Sequence, residues 1–245
     1  MPTLTIVIPA FEEENKIARD VQAAAGFLVS HAIDGEIIVS DDGSSDRTSE
    51  RASLAPIPPG IQRTVLRNRP HRGKGAAVRA GVLASRGDYV LFADCGLTVP
   101  FENSLPGLRL LRERTCDLAH GSRELPGSVI RHPRDWDRTI ISAMFRAVVL
   151  PWLGIPRTLT DTQCGFKISR GDAARQLYAQ CSTDGFMFDI EISLRALNHG
   201  YRIMEFPVEW SCDRDSRLGI RRSSRDIIRT LVHLRRTLVR LQHRT

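Results

Sequence analysis

The first hundred residues alternate short apolar runs with segments that have helical spacing. Three of the runs predict strands, namely LTIVIP at Leu4–Pro9, EIIVSD at Glu36–Asp41 and YVLFAD at Tyr89–Asp94, and Thr64–Leu66 predicts a weaker one. Runs that are apolar throughout are typical of parallel strands buried on both faces, and the helices between them form the crossovers. The alternation therefore predicts an α/β fold with a mostly parallel sheet flanked by helices.

The second half of the chain alternates less regularly. We predict a strand at Asp117–Gly121, helices near Thr139–Leu150, Gly171–Gln180 and Asp189–Leu197, and a strand at Arg202–Trp210. No linker rich in Gly or Ser and no internal repeat divides this half. The simplest partition is one domain over residues 1–220 followed by a helix over residues 221–245.

The basic charge of the chain is confined to its last segment. The formal net charge is +7, and residues 221–245 hold eight arginines and one aspartate, so residues 1–220 are neutral overall. Apolar residues recur in this segment at helical spacing, with most of the arginines on the opposite face. A basic amphipathic helix is typical of attachment to an anionic membrane surface. The alternative is a helix that packs on its own domain or on a partner chain.

Several classes of protein are excluded by these patterns. No run approaches the roughly 18 uncharged apolar residues of a spanning helix, and the amino terminus has no basic-then-apolar signal. Five cysteines without a CxxC pair favour reduced thiols over disulfides or a zinc site. A neutral body without a basic groove argues against a nucleic-acid partner. We expect a cytoplasmic protein, peripheral on the inner face of the membrane if the tail binds lipid.

Acidic residues follow three of the predicted strands, with Gly and Ser beside two of them. The strand-end sequences are PAFEEE from Pro9, DDGSSD from Asp41 and DCG from Asp94. Ligands of open α/β sheets bind outside the carboxyl ends of the strands. Such residues can hydrogen-bond a nucleoside or hold a divalent cation. The alternative is that they only form turns and helix caps. The stretch RGKG matches neither the phosphate-binding P-loop nor the Rossmann fingerprint, because residues required by each motif are absent.

Motifs in a fixed order resemble the family 2 glycosyltransferases of the GT-A fold. PAFEEE, SDDGSSD, RGKGAAVRAG and the strand that ends at Asp94 follow the order of that family, and DTQCGFK at residues 161–167 resembles its dolichyl-phosphate glucosyltransferase and polyprenyl-phosphate glycosyltransferase branch. GFMFDIE from Gly185 and the segment from Trp210 to Leu218 look like two further motifs of that branch. The resemblance spans about residues 3–230 and implies a Rossmann-like GT-A fold.

The resemblance implies a nucleotide-sugar donor and a place for it. Nucleotide-binding roles fall on the strand ends and on the stretch before the next helix, at Pro9, Ala10, Phe11, Glu13, Asp41, Gly43, Lys74 and Asp94. Asp94 matches the first acid of the D-x-D metal motif of the family, and Gly96 stands where the second Asp belongs. The resemblance thus implies Mg²⁺ or Mn²⁺ at Asp94 with one carboxylate fewer. Cations such as Lys74 and Arg217 are candidates to replace part of the work of the metal.

The resemblance also implies a phosphate-bearing acceptor. Substrate-binding roles fall on Arg123, Arg131, Gln163, Lys167, Ser216 and Arg217, with Arg134 and Arg138 nearby. Arginine suits phosphate because its planar fork donates two charge-assisted hydrogen bonds. A phosphomonoester is already anionic at neutral pH and can attack without a base. A hydroxyl acceptor instead requires a general base, and Asp161 and Asp189 are the candidates for that catalytic role.

Together these features predict an inverting glycosyltransferase that moves a hexose, glucose from UDP-glucose, to a polyprenyl or dolichyl phosphate. One alternative is a transferase that acts on a soluble small-molecule acceptor. The other is a non-catalytic protein that binds sugar nucleotides and has a degraded metal site. The sequence does not fix the oligomeric state.

Overall fold

The computed structural model describes residues 2–132, 143–211 and 220–239. The strands are β1 Leu4–Ala10, β2 Gly35–Asp41, β3 Gln62–Arg67, β4 Tyr89–Ala93, β5 Leu118–Ser122, β6 Val129–His132, β7 Phe166–Arg170, β8 Ile203–Pro207 and β9 Glu209–Ser211. The helices are α1 Ile17–Ser30, α2 Thr48–Leu54, α3 Lys74–Ala84, α4 Ser104–Arg112, α5 Leu150–Trp152, α6 Gly171–Gln180, α7 Phe188–Asn198 and α8 Ile220–Thr237. A π-helical turn at Phe145–Val149 leads into α5, so that residues 143–152 form one helical stretch, the 143–152 helix.

Seven strands form the central sheet in the order β3-β2-β1-β4-β7-β5-β8. β1 pairs in parallel with β2 on one side and with β4 on the other, which makes β1 the point where the strand order reverses. β7 is antiparallel to both of its neighbours, β4 and β5. The prediction of a mostly parallel α/β sheet is confirmed. The crevice expected for a ligand lies at the carboxyl ends of β1, β2 and β4.

Two parts of the predicted strand pattern are wrong. The strand expected at Arg202–Trp210 is two strands in different sheets, because β8 pairs with β5 while β9 pairs with β6 in a separate two-stranded sheet. β7 begins at Phe166, within DTQCGFK, and was not predicted, although it lies near the middle of the central sheet. The first four residues of the helix expected at Thr139–Leu150 lie outside the described residues.

Two apolar layers cover the faces of the sheet. Every residue of β1 is buried, because successive side chains point to opposite faces and both faces are covered. On one face, Ile6 and Ile8 belong to a core that includes residues of α1 and α4. On the other face, Val7 and Phe92 belong to a core with residues of α3, α6 and α7. This rigid double-sided packing holds the strand ends in fixed positions.

A third apolar cluster lies between α8 and the rest of the domain. Leu231 and Leu234 of α8, with Leu238 just after it, pack there against residues of α5 and α7 such as Leu150 and Leu194. The last helix therefore docks on its own domain through these leucines, which is one of the two alternatives predicted for it. The domain boundary at residue 220 stays a prediction. Over the described part of the chain, no helix is long and apolar enough to cross a bilayer.

Candidate active site

The loops after β1 and β2 are joined by side chains that bind backbone amides. The consecutive amides of Glu12, Glu13 and Glu14 donate to Ser44 Oγ at 2.8 Å, Thr48 Oγ1 at 2.8 Å and Asp46 Oδ2 at 3.2 Å. In return, Glu12 Oε1 accepts a hydrogen bond from the Ser45 amide at 2.7 Å. Short polar side chains readily satisfy backbone groups that have left a strand. The two loops therefore form one rim of the crevice, beginning where Pro9 and Ala10 end β1.

Asp41 ends β2 at the base of this rim. Its carboxylate is buried, and Oδ1 accepts hydrogen bonds from the Ser44 amide at 3.0 Å and the Ser44 hydroxyl at 2.5 Å. The Ser49 hydroxyl donates to Oδ2. Gly43 has a φ of +83°, and a Cβ there would lie 3.0 Å from the carbonyl oxygen of Asn68. Asp41 is thus held by residues of the turn that it begins, and it is 3% exposed.

Asp42 and Phe11 hold the loop before α3 through His71. His71 Nδ1 lies 2.8 Å from Asp42 Oδ2, which also accepts from the Gly73 amide at 2.6 Å. The His71 ring stacks on the Phe11 ring, with centroids 4.0 Å apart and planes 25° apart. Paired aromatic rings at the mouth of a crevice offer a flat surface against which a planar base can stack.

Lys74 and Asp94 form an ion pair at the centre of the crevice. Lys74 Nζ lies 2.7 Å from Asp94 Oδ1 and 2.9 Å from Oδ2. Burial opposes the charge on Lys74, but the carboxylates of Asp94 and Asp189 outweigh it and raise the pKa of the lysine. The Asp94 amide donates to the Gly165 carbonyl at 2.8 Å, and any Cβ on Gly165 would overlap the Asp94 carboxylate. DTQCGFK thus supplies the glycine against which Asp94 rests.

The glycines beside Lys74 serve a packing role. A Cβ on Gly73 would lie 2.6 Å from the carbonyl oxygen of Asp184, and one on Gly75 would overlap the carbonyl oxygen of Thr183. Glycine at these positions lets the start of α3 approach the loop that precedes α7. The same loop is held by Glu191, which accepts hydrogen bonds from the Thr183 amide at 2.8 Å and the Ser182 amide at 3.0 Å.

A second lysine–aspartate pair lies behind the first. Lys167 Nζ is 2.8 Å from Asp189 Oδ1, and both side chains are buried. Burial raises the pKa of Asp189, and the charges of Lys167 and Lys74 oppose that rise without cancelling it. Both ammonium groups lie over the Phe92 ring, at 5.4 Å for Lys74 and 6.0 Å for Lys167. The two pairs form one connected set of charges around a single aromatic ring.

Asp161 is held by Arg123 in a buried two-point contact. Arg123 Nε lies 2.5 Å from Asp161 Oδ2 and Nη2 lies 2.6 Å from Oδ1. Burial alone would raise the pKa of Asp161, but the hydrogen bonds and charge of Arg123 lower it below its usual value. The backbone at Asp161 is anchored by Glu205, because the Asp161 amide donates a hydrogen bond to Glu205 Oε1 at 2.8 Å. Asp161 is therefore a fixed carboxylate with its proton-accepting positions occupied.

Comparison with protein families identifies the chain. The family described as glycosyl transferase family 2 matches residues 5–173, which carry the strand-end acids and all of DTQCGFK. The chain belongs to the family 2 glycosyl transferases.

Relatives of this transferase include enzymes of named activity. The dolichyl-phosphate beta-glucosyltransferase of Drosophila melanogaster is 32% identical over 85% of this chain and 67% of its own length. The human protein of the same name is 30% identical over 88% of this chain and 69% of its own length. Glycosyltransferase AglD of Haloferax volcanii is 30% identical over 89% of this chain but only 34% of its own length.

A solved structure shares the fold of the transferase. Glucosyl-3-phosphoglycerate synthase from Mycobacterium tuberculosis, in complex with Mn²⁺, UDP-glucose and phosphoglyceric acid, matches with a TM-score of 0.70. The match covers 96% of this chain and 80% of that chain at 22% identity. The GT-A expectation for the fold is thereby confirmed.

The transferase places its other predicted substrate residues in different surroundings. Gln163 is half-buried within DTQCGFK, next to Asp161 in sequence. Arg131 is exposed on β6, and its Nε lies 2.8 Å from Glu209 Oε1 across the small sheet. Ser216 and Arg217, like Arg134 and Arg138, lie outside the described residues. Their roles stay predictions.

Buried Cys164 and His120 lie beside the site without the character of reacting groups. Burial raises the pKa of the Cys164 thiol to about 12, so the thiol is protonated at neutral pH and is a poor nucleophile. Burial, followed by the charge of Lys167, holds the pKa of His120 well below its usual value, so its ring is neutral. Cys164 therefore fits a packing role.

Some residues that hold the candidate site in place were not predicted. Glu205 anchors Asp161, Gly165 receives Asp94, and His71 stacks on Phe11, each through contacts described above. Glu205 belongs to β8 and comes 44 residues after Asp161. Only the glycine carried a signal in the sequence, since it lies inside DTQCGFK.

The residues around Asp94 set limits on a metal site. Among the described residues, no three His, Cys, Asp or Glu side chains are grouped closely enough to hold a metal ion. Gly96, which replaces the second acid of the family motif, has a φ of +101°, and its amide donates to Asp20 Oδ2 at 2.5 Å. A positive φ of this size suits glycine better than aspartate. Mg²⁺ is often bound by one carboxylate together with substrate phosphates. Asp94 therefore fits a cation that arrives with a diphosphate.

Proposed function

We propose that this enzyme transfers glucose from UDP-glucose to a polyprenyl phosphate, with inversion at the anomeric carbon. The observation that carries the proposal is the state of the two candidate general bases. Asp161 is bound by Arg123 and Asp189 by Lys167, so each carboxylate already has a cationic partner within 2.8 Å. An acceptor that needs no deprotonation suits such a site, and a phosphomonoester is one.

The names of relatives support the sugar and the lipid. Dolichyl-phosphate beta-glucosyltransferases match most of this chain at about 30% identity. The structural neighbour binds UDP-glucose together with an acceptor that carries a phosphate. The acid bound by that neighbour, phosphoglyceric acid, is a small molecule, so a soluble phosphate-bearing acceptor is the second candidate for this enzyme.

The transfer itself needs alignment and charge neutralisation. A phosphate oxygen of the acceptor attacks the anomeric carbon, and the bond from that carbon to the UDP oxygen breaks with its electron pair leaving on UDP. Lys74 is the described cation best placed to approach the diphosphate, because its ammonium faces the crevice beside Asp94. Fixed charges aimed at a leaving group lower the barrier without reorganising during the reaction.

A divalent cation would be held by Asp94 and the donor diphosphate. When bound, Mg²⁺ or Mn²⁺ would neutralise charge that develops on the leaving diphosphate. Lys74 would then share Asp94 with the cation. We also retain attachment to an anionic membrane surface and a cytoplasmic location as predictions.

Product analysis by mass spectrometry tests this function. The full chain is incubated with UDP-glucose and, in separate reactions, a polyprenyl phosphate, the matching polyprenol and phosphoglyceric acid. We expect glucosyl transfer to the polyprenyl phosphate and none to the polyprenol, which offers only a hydroxyl. Transfer to phosphoglyceric acid alone would select the soluble acceptor. UDP-glucose binding without any product would select the non-catalytic alternative.

A further inference from the structure

The outward face of the 143–152 helix is apolar. Met144, Val148 and Trp152, spaced four residues apart, lie on one side of the helix, and their exposed fractions are 63%, 64% and 40%. Ala147 and Pro151 beside them are also exposed. The solvent side of a surface helix is ordinarily polar, and a helix that is apolar on all sides is ordinarily buried. We call Met144, Val148 and Trp152 the apolar stripe.

The opposite side of the same helix is fixed to the domain. Leu150 is buried in the third cluster, and Phe145 and Val149 pack against that cluster. The stripe is therefore held outward by the packing behind it, as part of a folded element.

The stripe adjoins the most basic part of the molecule. α8 packs on the same cluster, and its Arg235 places its guanidinium carbon 4.6 Å from the centre of the Trp152 ring. Ile228, 61% exposed, lies two turns before Arg235 on the same side of α8. Residues 221–245 carry the entire net charge of +7. Exposed apolar side chains and the described cation Arg235 thus meet beside Trp152.

We propose that the apolar stripe docks on an anionic lipid surface, with its side chains in the headgroup region and the described arginines of α8, such as Arg235, near lipid phosphates. Each basic residue near an anionic bilayer contributes about 1 kcal/mol, and apolar side chains add burial in the interface. A second copy of the chain fits the face less well, because pairing would bring two segments of charge +7 together. Nucleic acid would use the charge and leave the stripe in water.

This inference differs from attachment through the apolar side of the last helix. Leu231 and Leu234 of α8 and Leu238 just after it are buried against the domain and are not available to lipid. The proposed membrane contact is instead the apolar stripe of the 143–152 helix, and α8 contributes positive charge beside it. The inference holds for a lipid or a soluble acceptor, so it does not depend on the proposed function.

Vesicle co-sedimentation of the full chain tests the docking surface. The vesicles contain phosphatidylcholine alone or with about a quarter phosphatidylglycerol, because charge density sets the electrostatic attraction. We expect binding to the anionic vesicles only, and release as salt shortens the screening length. Val148→Glu places a carboxylate in the stripe and should weaken binding about tenfold through repulsion and lost burial.

The matched control is Leu54→Glu, which introduces the same charge at an exposed leucine of α2 away from the stripe. It should bind like the wild type, and both variants should keep the melting temperature of the wild type. Three results would overturn the proposal: a wild type that ignores anionic vesicles at low salt, equal loss of binding in both variants, or full binding by Val148→Glu. A dimer in light scattering that Val148→Glu abolishes would assign the stripe to self-association instead.

Discussion

The absence of a side chain at Gly165 leaves room for the Asp94 carboxylate. The Asp94 carboxylate occupies the space that a Cβ on Gly165 would need. We expect Gly165→Ala to displace this carboxylate from Lys74 and to lower kcat/KM by about 100-fold, the order of loss caused by a displacement of about 1 Å at a reacting centre. Steady-state kinetics with UDP-glucose measure this.

The control for that variant is Gly26→Ala, since nothing lies within 4 Å of a Cβ at Gly26 in α1. It should leave kcat/KM unchanged and add about 0.5–1 kcal/mol of stability, as alanine does in place of glycine in a helix. Equal activity of Gly165→Ala and the wild type would show that Asp94 does not need its position.

The Asp161–Arg123 pair predicts a dependence of stability on pH. Because the pKa of Asp161 is lowered in the folded state, the stabilisation that it provides is present above its unfolded pKa of about 3.9 and is lost as pH falls through the folded pKa. Asp161→Asn leaves the Arg123 charge buried without its partner, and should cost about 3–5 kcal/mol at neutral pH. Urea unfolding at pH 7 and below pH 4 measures the difference, which should shrink at the lower pH.

An exposed pair of the same type is the comparison. Asp172 is bound by Arg170 at the surface, where the two side chains are 64% and 40% exposed, so Asp172→Asn should cost less than about 1 kcal/mol. A difference between wild type and Asp161→Asn that stays constant with pH would contradict the role of ionised Asp161.

Sequence patterns placed the acids of the site and missed their partners. Asp41 and Asp94 follow strands, so the rule for ligand positions in parallel sheets was enough to bring them to one edge. The contact of Lys74 with Asp94 depends on how α3 packs on the sheet, and that of Glu205 with Asp161 depends on the position of β8. Neither arrangement is encoded in local spacing, because it arises from contacts between residues far apart in the chain.

At the scale of elements, α8 is held by a few buried leucines. Leu234 is 1% exposed in the third cluster, whereas Ile228 on the same helix is 61% exposed. We expect Leu234→Ala to cost about 2–5 kcal/mol, through lost burial and the cavity that it leaves. Ile228→Ala should change stability by less than about 0.5 kcal/mol. Chemical denaturation of the two variants checks the docking of α8, and equal costs would contradict it.

Elements with regular patterns were predicted well, and those shaped by tertiary contacts were not. The helix at Gly171–Gln180 has the predicted bounds, and β1 and β2 differ from theirs by one residue each. α4 was not predicted, and it contains Pro106 and Gly107, which disfavour helix interiors. A Cβ on Gly107 would lie 2.6 Å from the Phe206 ring, so close packing on the sheet selects the glycine.

For the whole molecule, the site predicts coupled binding of nucleotide and metal. UDP should raise the melting temperature, and Mn²⁺ should raise it further only when UDP is present, because Asp94 is a single carboxylate. At a ligand concentration of about 100 Kd the stabilisation is about 2.7 kcal/mol, or roughly 5–10 °C for a chain of this size. Thermal shift measures both effects. Asp94→Asn should abolish the increment due to Mn²⁺, and stabilisation by Mn²⁺ alone would contradict the prediction.

The antiparallel β7 has a consequence for synthesis on the ribosome. It lies between β4 and β5 but is translated after both, so the growing chain exposes the open edge of β4 until residue 166 and those after it emerge. An unpaired strand edge is a template for association with other chains, so the chain is open to such pairing during this interval. Phe166, which pairs with Ala93, follows Gly165, which receives Asp94. The pairing of β7 with β4 therefore closes the sheet and positions Asp94 in the same folding step.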